Sequence, residues 1–290
     1  MLGYIKCDLT RFLHILPKRS QYSPFTVPLP VFGQVQQLTP LPDTSTSLPP
    51  NIIKNVQDII GILLYQARTL NSPLLAALNT LGIEHASATE NTIIALTQLL
   101  DYCATYFNHI LRSVASDMVL RIHSDVSYLF VPKDRSRADG YFYLSSNTDE
   151  PPINGAVHVL CVVLKNIMAS AAEAKTGAVF KNFQATVSLC EALIEMGHQQ
   201  PATPVQVDNA YVVGILNETF RQRRSKSMDM RFYWVRDRIH QNQFRIFWEK
   251  GSSNLADYFT KYFPLSHHRK IRSSYLLNSI NFLDTLERVT

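Results

Sequence analysis

Three aspartates, each at the edge of a short apolar run, are the residues of this chain best suited to chemistry. They are Asp125, Asp208 and Asp257. Carboxylates that converge at strand and helix ends bind divalent metal ions, and two such ions close together can drive phosphodiester hydrolysis. Each aspartate taken alone is better explained as a turn residue or a helix cap. The chemistry therefore depends on the elements that would bring the three together.

Strands and helices alternate after Ser116, and this pattern would position the aspartates. Apolar alternation over 118–123 predicts a first strand, whose end is expected at Asp125. A second apolar run over 204–207 predicts a strand that leads to Asp208. The remaining predicted elements are strands at 140–144, 156–163 and 244–248, and helices at 170–196, from 209, at 230–240 and from 254. Gly197 is expected to end the long helix in a left-handed conformation. This order indicates an α/β or α+β domain.

The part of the chain before Ser116 has a different composition. Residues 15–50 are rich in Pro, Ser and Thr, which predicts an extended linker without a core of its own. From Asn51 to Arg112 the apolar spacing is helical, with a break at Asn71-Ser-Pro73 and a new helix start at Thr89 and Glu90. The predicted organisation is a linker-like segment at 1–50, a helical region at 51–115, an α/β domain at 116–275 and a tail at 276–290.

Composition narrows the class of protein. With 46% apolar residues the chain can bury a sizeable core. It contains no apolar run long enough to span a bilayer, and its start does not look like a signal peptide. The four cysteines are scattered without zinc-type spacing, which indicates reduced, intracellular thiols. The net charge of +5 favours polyanionic partners, although only mildly.

The segments around the aspartates resemble the ribonuclease H domain of copia-type retrotransposon polyproteins. The resemblance is carried by Gln206-Val-Asp-Asn-Ala-Tyr-Val-Val-Gly-Ile215, by Gly251-Ser-Ser-Asn-Leu-Ala-Asp-Tyr-Phe-Thr-Lys261 and by Ser266-His-His-Arg269. It runs from about Ser116 to Tyr275. Upstream, Gly61-Ile-Leu-Leu-Tyr-Gln-Ala-Arg68 and Thr97-Gln-Leu-Leu-Asp-Tyr-Cys-Ala-Thr105 resemble the connection region that follows the polymerase in the same polyproteins.

This resemblance implies a ribonuclease H-like mixed five-stranded sheet with flanking helices, preceded by a small helical module. It implies metal-dependent cleavage of RNA in an RNA–DNA hybrid, with two Mg²⁺ or Mn²⁺ ions held by Asp125, Asp208 and Asp257. A nucleic acid is the expected partner, no membrane is expected, and the compartment would be cytoplasmic or nuclear. The family's Tyr-x-Asp-Asp polymerase motif does not occur in this chain.

The fourth carboxylate of the family is a glutamate at the start of the long helix, and two alignments compete for it. One places Lys175 at this position, which would put a positive charge where cations bind and damage the site. The other makes Glu173 the fourth catalytic carboxylate and leaves the site whole. Glu173 precedes Lys175 by two residues, which rotates it by about 200° around a regular helix.

Several basic and histidine residues have both functional and structural interpretations. His123 shares the strand face of Asp125, but such a histidine is more often a satisfied sheet residue. His267, His268 and Arg269 lack an acidic or cysteine partner at zinc spacing, which favours a phosphate-facing or solvated tail. A basic stretch with the aromatic residues Phe232, Tyr233 and Trp234 is either a solvated helix face or a contact for nucleic-acid phosphates. Its expected nucleic-acid-binding residues are Arg223, Arg224, Lys226, Arg231, Arg236 and Arg238.

Three functional interpretations follow. The first is a ribonuclease H-type endonuclease of a retroelement polyprotein. The second is a catalytically inactive remnant, or a fragment put to another use, that still binds nucleic acid. The third is a translated relic without a selected function. Cleavage, binding without cleavage, and failure to fold would distinguish them.

Overall fold

The computed structural model describes residues 3–26, 43–131, 134–148, 150–220 and 229–278. In chain order, the helices are α1 (Tyr4–Arg11), α2 (Pro50–Thr69), α3 (Leu75–Glu84), α4 (Glu90–Thr105), α5 (Ala171–Glu195), α6 (Ala210–Leu216), α7 (Asp229–His240), α8 (Asp257–Thr260) and α9 (Leu265–Ile271). The strands are β1 (His109–Ile110), β2 (Val119–Val131), β3 (Arg135–Ser145), β4 (Ala156–Val163), β5 (Thr203–Val207), β6 (Phe244–Trp248) and β7 (Leu277–Asn278). Short 3₁₀ segments span Ser72–Leu74, His85–Ser87, Gly251–Ser253 and Arg272–Ser274.

The described residues divide into two compact units. The first contains the described residues up to Arg112 and those from Tyr262 onward, and the second contains those from Ser113 to Lys261. Among these residues, no helix combines the length and the apolar character needed to cross a lipid bilayer.

The first unit is built mainly from helices. A break at Asn71 ends α2, and α4 begins at a capping box in which Thr89 and Thr92 satisfy each other's backbone N–H groups. Both features confirm the predicted helix boundaries. The apolar pattern did not predict α1, which lies within the segment expected to be linker-like. Residues 27–42 of that segment lie outside the described residues.

The second unit contains a five-stranded sheet in the order β4-β3-β2-β5-β6. The first three strands are antiparallel to one another, β5 is parallel to β2, and β6 is parallel to β5. The parallel pairs require crossover connections, which α5 and the α6–α7 segment provide. This mixed sheet with flanking helices confirms the predicted fold class.

The core of the second unit lies between the sheet and α5. Leu120 and Ile122 on β2 and Phe142 on β3 pack against Val179 and Phe183 of the helix. Side chains alternate along a strand, so the next residues on β2 point to the other face of the sheet. That second face carries Arg121, His123 and Asp125 beside Tyr143, Tyr141 and Asp139 of β3. The sheet therefore has one apolar face under α5 and one unusually polar face.

Most of the predicted elements of this unit are confirmed, and two predictions are wrong. Strand β4, strand β6 and the helix start after Asn209 match the sequence pattern, and Gly197 follows α5 with φ of +91°. The first strand does not end at Asp125 but continues to Val131, because the polar residues from Ser124 onward are themselves buried in the sheet. The helix expected from Asn254 starts three residues later, at Asp257, while the Asn254 side chain accepts from the backbone N–H of Ala256 and donates to the Ser124 backbone oxygen.

Candidate functional site: an acidic cluster with a bridging lysine

Asp125 lies in the middle of β2, on the polar face of the sheet. Its side chain is 1% exposed, and its register partner on β3 is Asp139. A buried carboxylate is costly unless a cation or hydrogen-bond donors compensate its charge. The position of Asp125 therefore demands a positively charged neighbour.

Asp208 follows directly after β5. Because β5 is parallel to β2, with Ser124 opposite Val207, the residues that follow this pair stand side by side. The indole N–H of Trp248 on β6 donates to the backbone oxygen of Asp208 at 3.2 Å, which fixes the turn after the strand. This parallel register brings Asp208 next to Asp125.

Lys175 supplies the positive charge. Its Nζ forms ion pairs and hydrogen bonds with Oδ1 of Asp125 and with Oδ1 of Asp208. The lysine side chain is 13% exposed and reaches the carboxylates from the second turn of α5. Burial alone would lower the pKa of Lys175, but the two carboxylates outweigh it and raise the pKa above its ordinary value. At neutral pH the two aspartates are bridged by an ammonium group.

Glu173 performs a different task at the start of the same helix. Ser170 is the N-cap and accepts from the backbone N–H of Glu173 at 3.1 Å. The Glu173 carboxylate accepts from the backbone N–H of Ala169 at 2.7 Å. Glu173 thus satisfies a backbone donor where the chain enters the helix. Of the two residues that competed for the fourth position, the structure brings Lys175 and not Glu173 against Asp125 and Asp208.

Asp257 is positioned by the segment that precedes α8. Asn254 donates to the backbone oxygen of Ser124 at 2.9 Å, and the backbone N–H of Leu255 donates to Nδ1 of His123 at 3.0 Å. These two bonds tie the segment to β2 and place Asp257 where its charge acts on Asp125. Asp257 accepts from Lys261 at 2.8 Å, one helical turn later.

Two groups of this cluster were missed by the sequence interpretation. Asp139 is fully buried opposite Asp125, and burial raises its pKa well above the ordinary value despite the opposing charge of Arg137. Lys261 keeps its ammonium charge because the Asp257 carboxylate outweighs the effect of burial and raises its pKa. Pairing β2 and β3 as a hairpin would have revealed Asp139, and the i,i+4 spacing would have revealed Lys261.

The arrangement does not fit the predicted pair of divalent ions. Within the described part of the chain, no group of three or more His, Cys, Asp or Glu side chains is arranged to hold a metal ion. The Lys175 ammonium uses one oxygen of Asp125 and one of Asp208, where a bridging cation would need them. A divalent ion at the same place would also meet the repulsion of that charge. The cluster is an ion-pair network in which the cation between Asp125 and Asp208 is the side chain of Lys175.

The basic residues expected to bind nucleic acid are only partly described. Arg223, Arg224 and Lys226 lie outside the described residues. On α7, the Arg236 guanidinium pairs with the Glu218 carboxylate and lies 5.3 Å from the centroid of the Phe232 ring. The Arg238 guanidinium lies 5.1 Å from the centroid of the Trp234 ring. Arg231, on the same helix, is half-buried.

The aromatic trio on α7 is divided between the core and the surface. Phe232 is buried, Trp234 packs edge-on against Phe180, and Tyr233 is 59% exposed. Only one member of the trio is thus open to solvent, and the other two belong to the core.

The two histidine predictions have different outcomes. His123 is buried and satisfied, since Nδ1 accepts from Leu255 and Nε2 lies 3.1 Å from the Tyr143 hydroxyl. The solvated tail predicted around His267 and His268 is wrong for His268, which is 1% exposed and packs edge-on against Phe25. Both residues lie in the first unit, where His267 stacks on Phe263. Aromatic packing therefore overrides the polar character of this pair.

Comparisons with known proteins point to a retroelement polyprotein. No protein-family model matches the chain. A retrovirus-related Pol polyprotein from the tobacco transposon TNT 1-94 is 23% identical over 149 residues, which cover 51% of this chain. This similarity confirms the resemblance to a retroelement polyprotein. The matched part spans 11% of that polyprotein's length.

Solved structures with some similarity include ribonucleases H. LC11-RNase H1, isolated from compost, matches 49% of this chain and 92% of its own length, with 12% identity and a TM-score of 0.36. The N-terminal RNase H domain of a Mycobacterium tuberculosis protein matches 49% of this chain and 91% of its own length, with 11% identity and a TM-score of 0.34. The prototype foamy virus protease–reverse transcriptase matches 57% of this chain and 22% of its own length, with 14% identity and a TM-score of 0.29.

Proposed function

We propose that this chain is a ribonuclease H-like domain of a copia-type retroelement polyprotein that binds an RNA–DNA hybrid without hydrolysing it. The observation that carries this proposal is the Lys175 ammonium group bound between Asp125 and Asp208. It occupies the carboxylate oxygens on which metal-dependent hydrolysis would rely. The helical module preceding the domain would be the remainder of the polymerase connection region.

The charge balance of the cluster supports binding of a phosphodiester backbone in the absence of metal ions. Asp125, Asp208 and Asp257 contribute three negative charges, while Lys175 and Lys261 contribute two positive charges, so these five side chains sum to −1. Arg137, whose charge acts on Asp139, adds a further positive charge beside them. Burial raises the pKa of Asp139 well above its ordinary value, which favours the neutral form of this carboxyl. A cluster of bare carboxylates would repel phosphate groups, whereas this one nearly cancels its own charge.

Two measurements on the purified chain test the proposal. Fluorescence anisotropy with a labelled RNA–DNA hybrid in EDTA should show saturable binding, and a Lys175→Glu variant should bind several-fold more weakly. Lys181→Glu makes the same charge change at an exposed position of α5 and is the matched control, expected to bind nearly as the unaltered chain does. Equal weakening in both variants would mean that overall charge, and not the cluster, determines binding.

The second measurement is cleavage of the same hybrid with Mg²⁺ or Mn²⁺. We expect no cleavage by the unaltered chain. Cleavage that disappears in Asp125→Asn would contradict the proposal and show that Lys175 leaves the carboxylates when metal ions and substrate bind.

A second candidate function is ribonuclease H-type endonucleolytic hydrolysis with two Mg²⁺ or Mn²⁺ ions. The convergence of Asp125, Asp208 and Asp257 on one face of the sheet favours it. Replacing Lys175 with a glutamate would add the missing carboxylate, so cleavage by Lys175→Glu alone would identify a nuclease silenced by one substitution. Cleavage by the unaltered chain would support this candidate directly. Absence of cleavage by both the unaltered chain and Lys175→Glu, with intact folding, would count against it.

A further inference from the structure

A cavity of about 490 Å³ lies on the polar face of the sheet in the second unit. Its walls include Arg121, Tyr143, Arg245 and Phe247, and the exposed residues Glu150 and Glu249 also line it. Neither the acidic cluster nor the hybrid-binding proposal makes use of it. Its size lies within the range of small-molecule sites in proteins.

Arg121 is the most informative residue of this cavity. Its side chain is 7% exposed, and Nη2 donates to the backbone oxygens of Ser146 at 3.2 Å and Thr148 at 3.4 Å. Within the described residues, its Nε–H has no hydrogen-bond partner. The nearby charge of Arg245 acts on it unfavourably. A buried guanidinium without a carboxylate partner is costly, and an anion in the cavity would remove that cost.

Tyr143 adds a donor whose direction is fixed by its neighbours. The backbone N–H of Leu255 occupies Nδ1 of His123, so the ring proton of the neutral imidazole is on Nε2 and is donated to the Tyr143 oxygen. The hydroxyl proton of Tyr143 is then left to donate towards the cavity that the tyrosine lines.

We propose that this cavity binds a small phosphate monoester with a flat aromatic body, such as a nucleoside monophosphate. The phosphate accepts from Arg121, Arg245 and Tyr143, and the aromatic body lies against Phe247. Two guanidinium groups match a dianionic phosphate better than a singly charged carboxylate. Glu150 and Glu249, which also line the cavity, repel anionic groups beyond the one phosphate that the two guanidinium groups bind, which disfavours polyphosphates and the continuous backbone of a strand.

Isothermal titration calorimetry on the full chain tests this inference with three probes. Inorganic phosphate and adenosine monophosphate should bind with a 1:1 stoichiometry, the nucleotide more tightly, and unphosphorylated adenosine should bind at least tenfold more weakly than the nucleotide. An oligonucleotide with a 5′ phosphate, compared with the same strand without it, distinguishes a strand end from a free nucleotide as the source of the phosphate. Failure of both phosphate probes to bind would overturn the inference.

Two variants assign the binding to this cavity. Arg245→Gln removes an exposed guanidinium without disturbing the core and should weaken nucleotide binding about tenfold, as expected for one charge-assisted hydrogen bond. Tyr143→Phe should weaken it by a smaller factor. Lys181→Gln, on α5 and not among the residues lining the cavity, should bind as the unaltered chain does. Unchanged affinity in both cavity variants would place the nucleotide elsewhere and refute the proposal.

This inference is independent of the hybrid-binding proposal. The Lys175→Glu variant alters the acidic cluster and not the lining of the cavity, so its nucleotide affinity should be unchanged. The two proposals can therefore fail separately.

Discussion

At the scale of single residues, Lys175 is the most consequential side chain of this protein. Its ammonium group lies between carboxylates that would otherwise repel one another, and it joins Asp125 and Asp208 in one ion-pair network. Removing one partner of a buried ion pair leaves the other charge uncompensated, which costs more than the pair contributes as a whole. Variants at this position should therefore affect both stability and metal binding.

The first prediction concerns stability. Lys175→Met should lower the free energy of unfolding by about 3 kcal/mol at pH 8, because Asp125 stays buried without its cation. The loss should shrink at pH 5, where the unpaired carboxyl can take up a proton and become neutral. Urea denaturation at both pH values measures this. Lys181→Met, an exposed substitution on the same helix, should change stability by no more than about 0.5 kcal/mol.

The second prediction concerns metal ions. Adding Mg²⁺ should leave the Tm of the unaltered chain unchanged, because the Lys175 ammonium already occupies the carboxylates. In Lys175→Glu the same addition should raise the Tm, since an ion that binds only the folded state stabilises it by about 2.7 kcal/mol at 100 times its Kd. Differential scanning fluorimetry gives both values. A saturable increase in the unaltered chain would show that the lysine yields to the metal ion.

At the scale of secondary-structure elements, helix α5 and strand β3 determine how the cluster is held. The start of α5 was predictable, because Ser170 is a common N-cap residue and Glu173 follows three positions later. The full length of β2 was not predictable. Polar residues such as Ser124, Asp125 and Ser127 break the apolar alternation, and they are buried only because β3, β5 and the segment before α8 surround them.

The third prediction separates the role of Glu173 from that of Lys175. Glu173→Gln weakens the acceptor for the Ala169 N–H and should cost about 0.5–1 kcal/mol of stability. Hybrid affinity should not change, because the carboxylate is engaged at the start of the helix and not in the cluster. Denaturation and anisotropy measure the two effects, with Glu191→Gln as an exposed control on α5. A large change in hybrid affinity would show that Glu173 contributes to the binding site and not only to the start of the helix.

The fourth prediction concerns the contact between β3 and α5 at Gly140. A Cβ at this position would lie 2.1 Å from Oδ1 of Asn182 and 2.7 Å from the Phe142 ring. Asn182 cannot move easily, since its amide donates to Ser124 at 2.7 Å and to the Asp139 backbone oxygen at 3.0 Å. Gly140→Ala should therefore destabilise the chain by about 2–3 kcal/mol.

Gly61 provides the opposite case for comparison. It lies inside α2, and a Cβ there would meet no atom within 4 Å. Gly61→Ala should stabilise its helix by about 0.5–1 kcal/mol, because alanine has the higher helix propensity. Denaturation curves with opposite shifts for the two variants would verify the packing at Gly140, whereas equal shifts would contradict it.

At the scale of the whole molecule, the sequence predicted the fold better than the chemistry. Periodicity and turn residues fixed the strands and helices of the second unit, because these signals are local. The contacts of Lys175 with Asp125 and Asp208 join residues distant in the chain. The burial of His268 is likewise set by packing from another part of the chain, since Phe25 covers it.

The fifth prediction is a loss of stability of the first unit in mild acid. Burial lowers the pKa of His268 to about 4 from an ordinary value of 6.5. The unfolded chain therefore binds a proton between these pH values while the folded unit does not, so stability is complete above pH 6.5 and falls as the pH decreases towards 4. The loss amounts to about 3 kcal/mol at most.

Histidine C–H chemical shifts, followed by NMR from pH 7.5 to 4, measure the titration of His268 directly. His268→Gln, which does not titrate, should reduce the dependence of stability on pH over the same interval, even if the substitution costs stability at every pH. A normal titration of His268 near pH 6.5 would mean that water reaches the ring and that its packing against Phe25 is not maintained in solution.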